Sequence, residues 1–304
     1  MARTIFCGCR GRRDKMKVIG VIGAGQMGAG IAQVSAQVGY QVLLSDVDLA
    51  RAEAGKAGIA KGLARLVAKE KITQRDADAA LALIAPVAGF SAFADADLVI
   101  EAATEREEIK RAIFAEVGKV LRSDAILASN TSSIPITRLA QASPDPARFM
   151  GVHFFNPVPV MGLIEVIRGL ATSDATVATV EGFGRALGKE IVHAQDAPGF
   201  IVNRVLMPMI NEACFALGEG VATTHDIDTA CRLGLNHPMG PLTLADFIGL
   251  DTCLEICRVL FTTTGDPKFR PVPMLVKYVE AGWLGKKTGR GFYDWTGPEP
   301  VPTR

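Results

Sequence analysis

No sign of charge dominates this chain: 33 basic residues stand against 32 acidic ones among 304, a net charge of +1. That balance removes the compositional reasons to expect nucleic acid or an anionic membrane surface as partner, and it favours a small molecule. Nearly half of the residues are apolar, yet no uncharged apolar run approaches the roughly eighteen residues of a membrane span, so a soluble protein is expected. The six cysteines, Cys7, Cys9, Cys214, Cys231, Cys253 and Cys257, lack the C-x-x-C spacing and flanking histidines of a zinc site. They read as reduced thiols of an intracellular protein, with no metal site. Cys253 and Cys257 lie one helical turn apart, but two thiols do not complete a tetrahedral site, and core packing is the reading they receive. No internal repeat or low-complexity segment is visible.

The first fifteen residues, "MARTIFCGCRGRRDK", hold five basic groups and no apolar stretch long enough for a secretory signal. They read as an extension or an upstream start ahead of Met16, with a mitochondrial presequence as the alternative; the expected location is cytoplasmic, or the mitochondrial matrix under that alternative. From Val18 the chain alternates: "KVIGVIGAG" is a short buried strand, "QMGAGIAQVSAQVG" a small-residue helix and "YQVLLSDVD" a second strand. That βαβ unit predicts an α/β fold with a parallel sheet. A helical stretch from about Leu49 to Ile84, broken at "KITQRD", reads as an antiparallel hairpin. Strands return at "DLVIEAA", "AILAS", "RFMGVHFF", "LIEVIRG" and "EIVHAQ". Beyond Phe200 the apolar residues follow helical spacing, punctuated by Gly and Pro. The expected domains are therefore 16–198, and an all-helical 199–304 ending in a frayed tail, "TGPEPVPTR".

Gly23, Gly25 and Gly28 form G-x-G-x-x-G immediately after a strand and at the start of a helix. Gly23 permits the tight turn, Gly25 the close approach of backbone to a pyrophosphate, and Gly28 the packing of helix on sheet. Gln26 and Met27 fill the intervening positions and are counted with them. Asp46 ends the second strand about twenty residues on, where a carboxylate accepts hydrogen bonds from adenosine ribose hydroxyls and repels a 2′-phosphate. NAD is favoured over NADP.

A polar group gathers beyond the second half of the sheet. "SNTSSIP" follows a strand and so lies at its carboxyl edge, although helix capping by Ser132 or Ser133 would explain it equally. His153 closes the next strand, and Glu165 lies twelve residues later at the start of another. A strand, a Pro-bearing connection and a second strand can bring such residues side by side. A carboxylate against one imidazole nitrogen fixes the tautomer and supports the imidazolium formed when the other nitrogen takes a proton. Oxidation of an alcohol by a nicotinamide needs such a base. His193, His225 and His237 have no carboxylate at useful spacing and read as structural.

With "GAGQMGAGIAQ", "SNTSSIPIT", "GVHFFNPVPVMGLIEVI", "DAPGFIVNRVL" and "GKKTGRGFYDW" in this order, the chain resembles the L-3-hydroxyacyl-CoA dehydrogenase family, of the 3-hydroxybutyryl-CoA type, over about residues 16–295. The resemblance implies a Rossmann-type first domain with a helical hairpin insertion, a helical second domain used for dimerisation, and interconversion of (S)-3-hydroxyacyl-CoA and 3-oxoacyl-CoA with NAD. It implies that His153 is the catalytic base and Glu165 its partner, and that Ser132 and Asn203 hold the substrate oxygen. Glu105, Lys110, Asn156 and Lys287, with Ser132, match positions near the nicotinamide half of the cofactor, and Lys69 matches a coenzyme A contact. Gly62 departs from the serine that some members place near Lys69. A dehydrogenase of free hydroxy or sugar acids and a non-catalytic, crystallin-like NAD-binding relative are the alternatives. The apolar stripe "VLMPMINEACFAL" adds the expectation of a homodimer.

Overall fold

The computed structural model describes residues 16–303, so the expectations for the basic prefix, including Cys7 and Cys9, lie outside the described residues. In chain order the elements are β1 (Val18–Ile22), α1 (Gln26–Gln37), β2 (Gln41–Ser45), α2 (Leu49–Ala68), α3 (Gln74–Ala82), β3 (Ile84–Val87), β4 (Leu98–Glu101), α4 (Glu107–Gly118) and β5 (Ile126–Ser129). There follow α5 (Ile136–Ala140), β6 (Phe149–Phe154), β7 (Leu163–Arg168), α6 (Asp174–Ala186), β8 (Glu190–Gln195) and α7 (Val202–Gly218). The chain ends with α8 (Thr224–Gly234), α9 (Pro241–Ile248), α10 (Leu250–Thr264), α11 (Pro273–Glu280), β9 (Tyr293–Asp294) and β10 (Val301–Pro302). The main sheet has the order β3-β2-β1-β4-β5-β6-β7-β8.

Two compact units are present: the residues up to Asn130 with Ala140–Ile164 and Ala171–Ile191, and Thr131–Leu139, Glu165–Leu170 with the residues from Val192 onward. In the first, the pairings from β3 through β6 are all parallel. Strands β4 and β5 are buried at every position and β1 at all but its first, which is why, up to the terminal Glu101 and Ser129, they read as apolar runs. The strand order reverses between β1 and β4, with Ile22 in register with Glu101 and Glu101 with Ser129. Strand β3 was not expected. It is four residues long and carries Pro86, which an edge strand tolerates because one row of its N–H groups needs no ladder partner. The hairpin α2–α3 is present, closed by a capping box at Thr73 and Asp76.

The second unit is helical around Met207, Ile210, Cys214, Leu242, Cys253, Cys257 and Phe292. Most of the stripe expected to form an interface belongs to this core: Met207, Ile210 and Cys214 are buried, Leu206 and Phe215 pack against it, and Val205 is 67% exposed. Burial pushes all three core thiols up, Cys257 to about 11. The tail is not frayed: Val301 and Pro302 pair with Asp294 and Tyr293, and the Thr303 hydroxyl donates to the carbonyls of Gly291 and Phe292. Among the described residues no helix is long and apolar enough to cross a membrane.

Candidate active site

At the end of β1 the chain turns through Gly23, whose φ of +98° is open to glycine and strained for other residues. A Cβ there would lie 2.6 Å from the backbone of Ala103, and one on Gly28 would overlap the Gly23 carbonyl. These two glycines let β1, the β4–α4 loop and α1 close on one another. Gly25 differs. It is the N-cap of α1 in extended backbone, and no neighbouring atom lies within 4 Å of where its Cβ would be. Internal packing gives no reason for glycine there, whereas a phosphate drawn to the N–H groups opening α1 would.

Gly23, Gly25, Gln26 and Asp46 line a cavity of about 770 Å³, shared with Arg51 and Gly58 of α2, Phe90, Ala103 and Thr104. Met27 is half-buried and outside that lining. The Asp46 carboxylate serves the protein first: Ala24 N–H donates to Oδ2 at 2.6 Å and Val47 N–H to Oδ1 at 2.8 Å. These two bonds are compatible with a ligand-facing role, since each oxygen keeps a second lone pair.

Beneath the cavity wall lies Glu101, which sequence reasoning missed, in a charged cluster with the expected Lys110 and Glu105. Glu101 closes β4 with no exposure; its Oε2 accepts from the Lys110 ammonium at 2.6 Å and the Ser129 hydroxyl at 3.0 Å, and its Oε1 from Ala103 N–H at 2.8 Å. Lys110 is itself 1% exposed and reaches the half-exposed Glu105 carboxylate at 3.7 Å. The signal was present in "DLVIEAA", an acid closing an otherwise apolar strand, which must find a partner when buried.

His153 is buried near the end of β6, its ring 4.6 Å from that of Phe155. Asn130, at the end of β5, receives Phe154 N–H at 2.9 Å and ties the two strand ends together. Asn156 is exposed on the following loop, and Lys69 is exposed as the C-cap of α2, where the carbonyl end of the helix favours a cation. Lys56 of α2 donates to the Ile84 carbonyl, and a Cβ on Gly62 would lie 3.6 Å from the Gln33 side-chain oxygen.

Glu165, Ser132, Asn203 and Lys287 belong to the second unit, and His153 to the first. Glu165 is fully buried, and its Oε1 accepts from the N–H groups of Ile201 and Val202 at 3.1 and 2.8 Å. Those are orphan donors at the start of α7, so the carboxylate is anchored where the helix favours an anion. Asn203, 8% exposed, follows in the first turn of the same helix. Gly199 and Phe200, both at positive φ, make the entry to α7; a Cβ on Gly199 would also press on Leu260. In "SNTSSIP" the Thr131 hydroxyl accepts from Ser133 and Ile134 N–H, and Asp196 caps α5 by accepting from Ile136 and Thr137 at 2.7 Å. Thr131 thus supports the turn and Asp196 caps α5. Lys287 forms an ion pair with Asp251 at 2.5 Å beside Gly249.

The sequence matches the family description "3-hydroxyacyl-CoA dehydrogenase, NAD binding domain" over residues 18–197 and "3-hydroxyacyl-CoA dehydrogenase, C-terminal domain" over 199–295. A relative from Bradyrhizobium diazoefficiens named 3-hydroxybutyryl-CoA dehydrogenase is 56% identical over 289 residues, covering 95% of this chain and 99% of that protein. The crystal structure of (S)-3-hydroxybutyryl-CoA dehydrogenase PaaH1 from Ralstonia eutropha superposes with a TM-score of 0.89 at 48% identity, covering 93% of this chain and all of that one. That of FadB2 from M. tuberculosis gives 0.91 at 46% identity, with 93% and 100% covered.

Proposed function

Since this chain belongs to the 3-hydroxyacyl-CoA dehydrogenase family, we propose that it interconverts (S)-3-hydroxyacyl-CoA and 3-oxoacyl-CoA, with 3-hydroxybutyryl-CoA and acetoacetyl-CoA as the favoured pair. The cavity fits NAD: Gly25 lines it and leaves the approach open, Gln26 at the start of α1 lines it too, and Asp46 offers lone pairs to ribose hydroxyls and a charge adverse to a 2′-phosphate. When bound, NAD supplies the hydride acceptor. The chain's own residues do the rest. His153 takes the proton of the substrate hydroxyl, and Glu165 orients the ring and supports the imidazolium by charge. Ser132 and Asn203 hold the substrate oxygen, while Glu105, Lys110, Asn156 and Lys287 shape the nicotinamide half of the site. Lys69 contributes one exposed, charge-assisted contact to coenzyme A, which affects KM more than kcat.

The observation that carries this reading is Glu165, a carboxylate with no exposure whose one oxygen is committed to two backbone donors. An anion so fixed is suited to orient a base rather than to move protons itself. The reading takes the domain boundary between Pro198 and Gly199, a cytoplasmic location, and a homodimer through the helical domain, with Val205 of α7 and its N-cap Ile201 as exposed apolar contacts. The test is NADH absorbance with (S)-3-hydroxybutyryl-CoA and NAD, beside longer acyl-CoA substrates and free 3-hydroxybutyrate. Turnover of the thioester and not of the free acid is expected; equal turnover of the free acid would favour the hydroxy-acid alternative. Sedimentation of the same sample as a monomer would remove the dimer from the reading.

A further inference from the structure

A buried ion pair is weak evidence for stability, because the cost of desolvating both charges can exceed their attraction. The pair of Glu101 and Lys110, 0% and 1% exposed, therefore calls for another reason. Its position supplies one. Glu101 is the last residue of β4, in register with the ends of β1 and β5, at the point where the sheet order reverses and where open α/β sheets bind ligands. Its Oε1 accepts the Ala103 N–H at 2.8 Å. Ala103 is a wall of the cavity and the backbone against which Gly23 packs. The other oxygen, Oε2, is held in place by Lys110 and Ser129.

From this we infer that Glu101 is a positioning residue of the cofactor site: it pins the Ala103 amide, and through it the wall behind the phosphate loop, without itself touching the dinucleotide. The inference rests on the cofactor reading above. Lys110 and Ser129 fix the carboxylate, and the carboxylate fixes the loop.

Removing Glu101 alone would leave the buried Lys110 ammonium to Glu105 at 3.7 Å and destabilise the unit for reasons unrelated to the pin. The informative comparison is between two double variants that both delete the charge pair. Glu101→Gln/Lys110→Met keeps an acceptor for Ala103 N–H, whereas Glu101→Leu/Lys110→Met does not. The readouts are the NADH dissociation constant by fluorescence, and hydrogen exchange at the Ala103 amide in the absence of cofactor. The glutamine variant is expected to bind NADH about tenfold more tightly than the leucine variant, the equivalent of one released amide donor. Its Ala103 amide stays slow to exchange, as in the parent, and that of the leucine variant becomes fast. Equal NADH affinity of the two variants would overturn the inference, as would a fast-exchanging Ala103 amide in the parent, a reading that needs no variant to fold. A parent that fails to bind NADH would instead overturn the cofactor reading.

Discussion

Two glycine-rich strings, "GAGQMGAG" near the start of the described chain and "GKKTGRGFYDW" near its end, look alike on paper and use glycine differently. In the first, Gly23 and Gly28 are packing glycines but Gly25 opens onto the cavity with nothing within 4 Å of its missing Cβ. In the second, every constraint is internal. Gly285 and Gly289 hold positive φ, and Cβ atoms on Gly285 and Gly291 would press into Asp246. Asp246 is 1% exposed and accepts from Phe292 N–H, Tyr293 N–H and the Trp295 indole, each at 2.9 Å. A neighbouring acid, Asp228, accepts from Leu242 and Thr243 N–H and from the Tyr293 hydroxyl. A glycine string thus reports a ligand only where the space it leaves belongs to no protein atom.

The largest expected effect lies in the packing string. Gly291→Ala drives a methyl into a carboxylate that three donors hold in place, and a loss of about 1–3 kcal/mol is expected. Thermal unfolding should show it, while the NADH affinity of the folded fraction stays that of the parent; an undisturbed Tm would mean that the Asp246 cage yields.

Asp246→Asn should cost about 1–3 kcal/mol, because an amide cannot accept from all three donors. Burial pushes the Asp246 carboxyl above the usual carboxylate range, partly opposed by its three donors and aided by the charge of Asp228. The folded state therefore binds this proton more tightly than the unfolded one, and the associated stability is present at acid pH and lost as pH rises through the folded value. The Tm difference between parent and Asp246→Asn should accordingly widen as pH falls to about 4, the ordinary carboxylate value. A difference independent of pH would show that Asp246 does not titrate in that window.

Gly25→Ala should invert the pattern. Its backbone, φ −69° and ψ −169°, suits alanine, and its surroundings are open. Stability should change by no more than about 1 kcal/mol, the preference of a helix N-cap for glycine over alanine, while NADH affinity falls by about tenfold or more from the blocked approach of the pyrophosphate. Equal affinity would return Gly25 to the ordinary glycines and erase the contrast between the strings.

Much of this was legible in the sequence. The βαβ opening, the glycine fingerprint and the helical texture beyond Phe200 follow from periodicity and punctuation, which are local. What was not legible depended on pairing across distance. Strand β3 is four residues with a proline, too short for a period; β9 and β10 are two residues each, recognisable only when Val301 meets Asp294. At the site, Glu101 was hidden because its partners Lys110 and Ser129 lie 9 and 28 residues away. Asp196, read only as part of "DAPGF", caps a helix 60 residues upstream. The Glu165 anchor likewise spans 37 residues, to Val202, and no spacing rule reaches that far.

The central claim is that His153 is the base of an NAD-dependent oxidation of a 3-hydroxyacyl thioester. The most direct measurement is kcat of His153→Asn with (S)-3-hydroxybutyryl-CoA, taken with its NADH dissociation constant and Tm. The account predicts a fall in kcat of about 10²–10⁴-fold, since proton transfer in the transition state is what the ring supplies, with cofactor affinity and Tm close to the parent's. Near-parental turnover, or loss of activity only through unfolding, would contradict it and return His153 to the buried residues that merely fill β6.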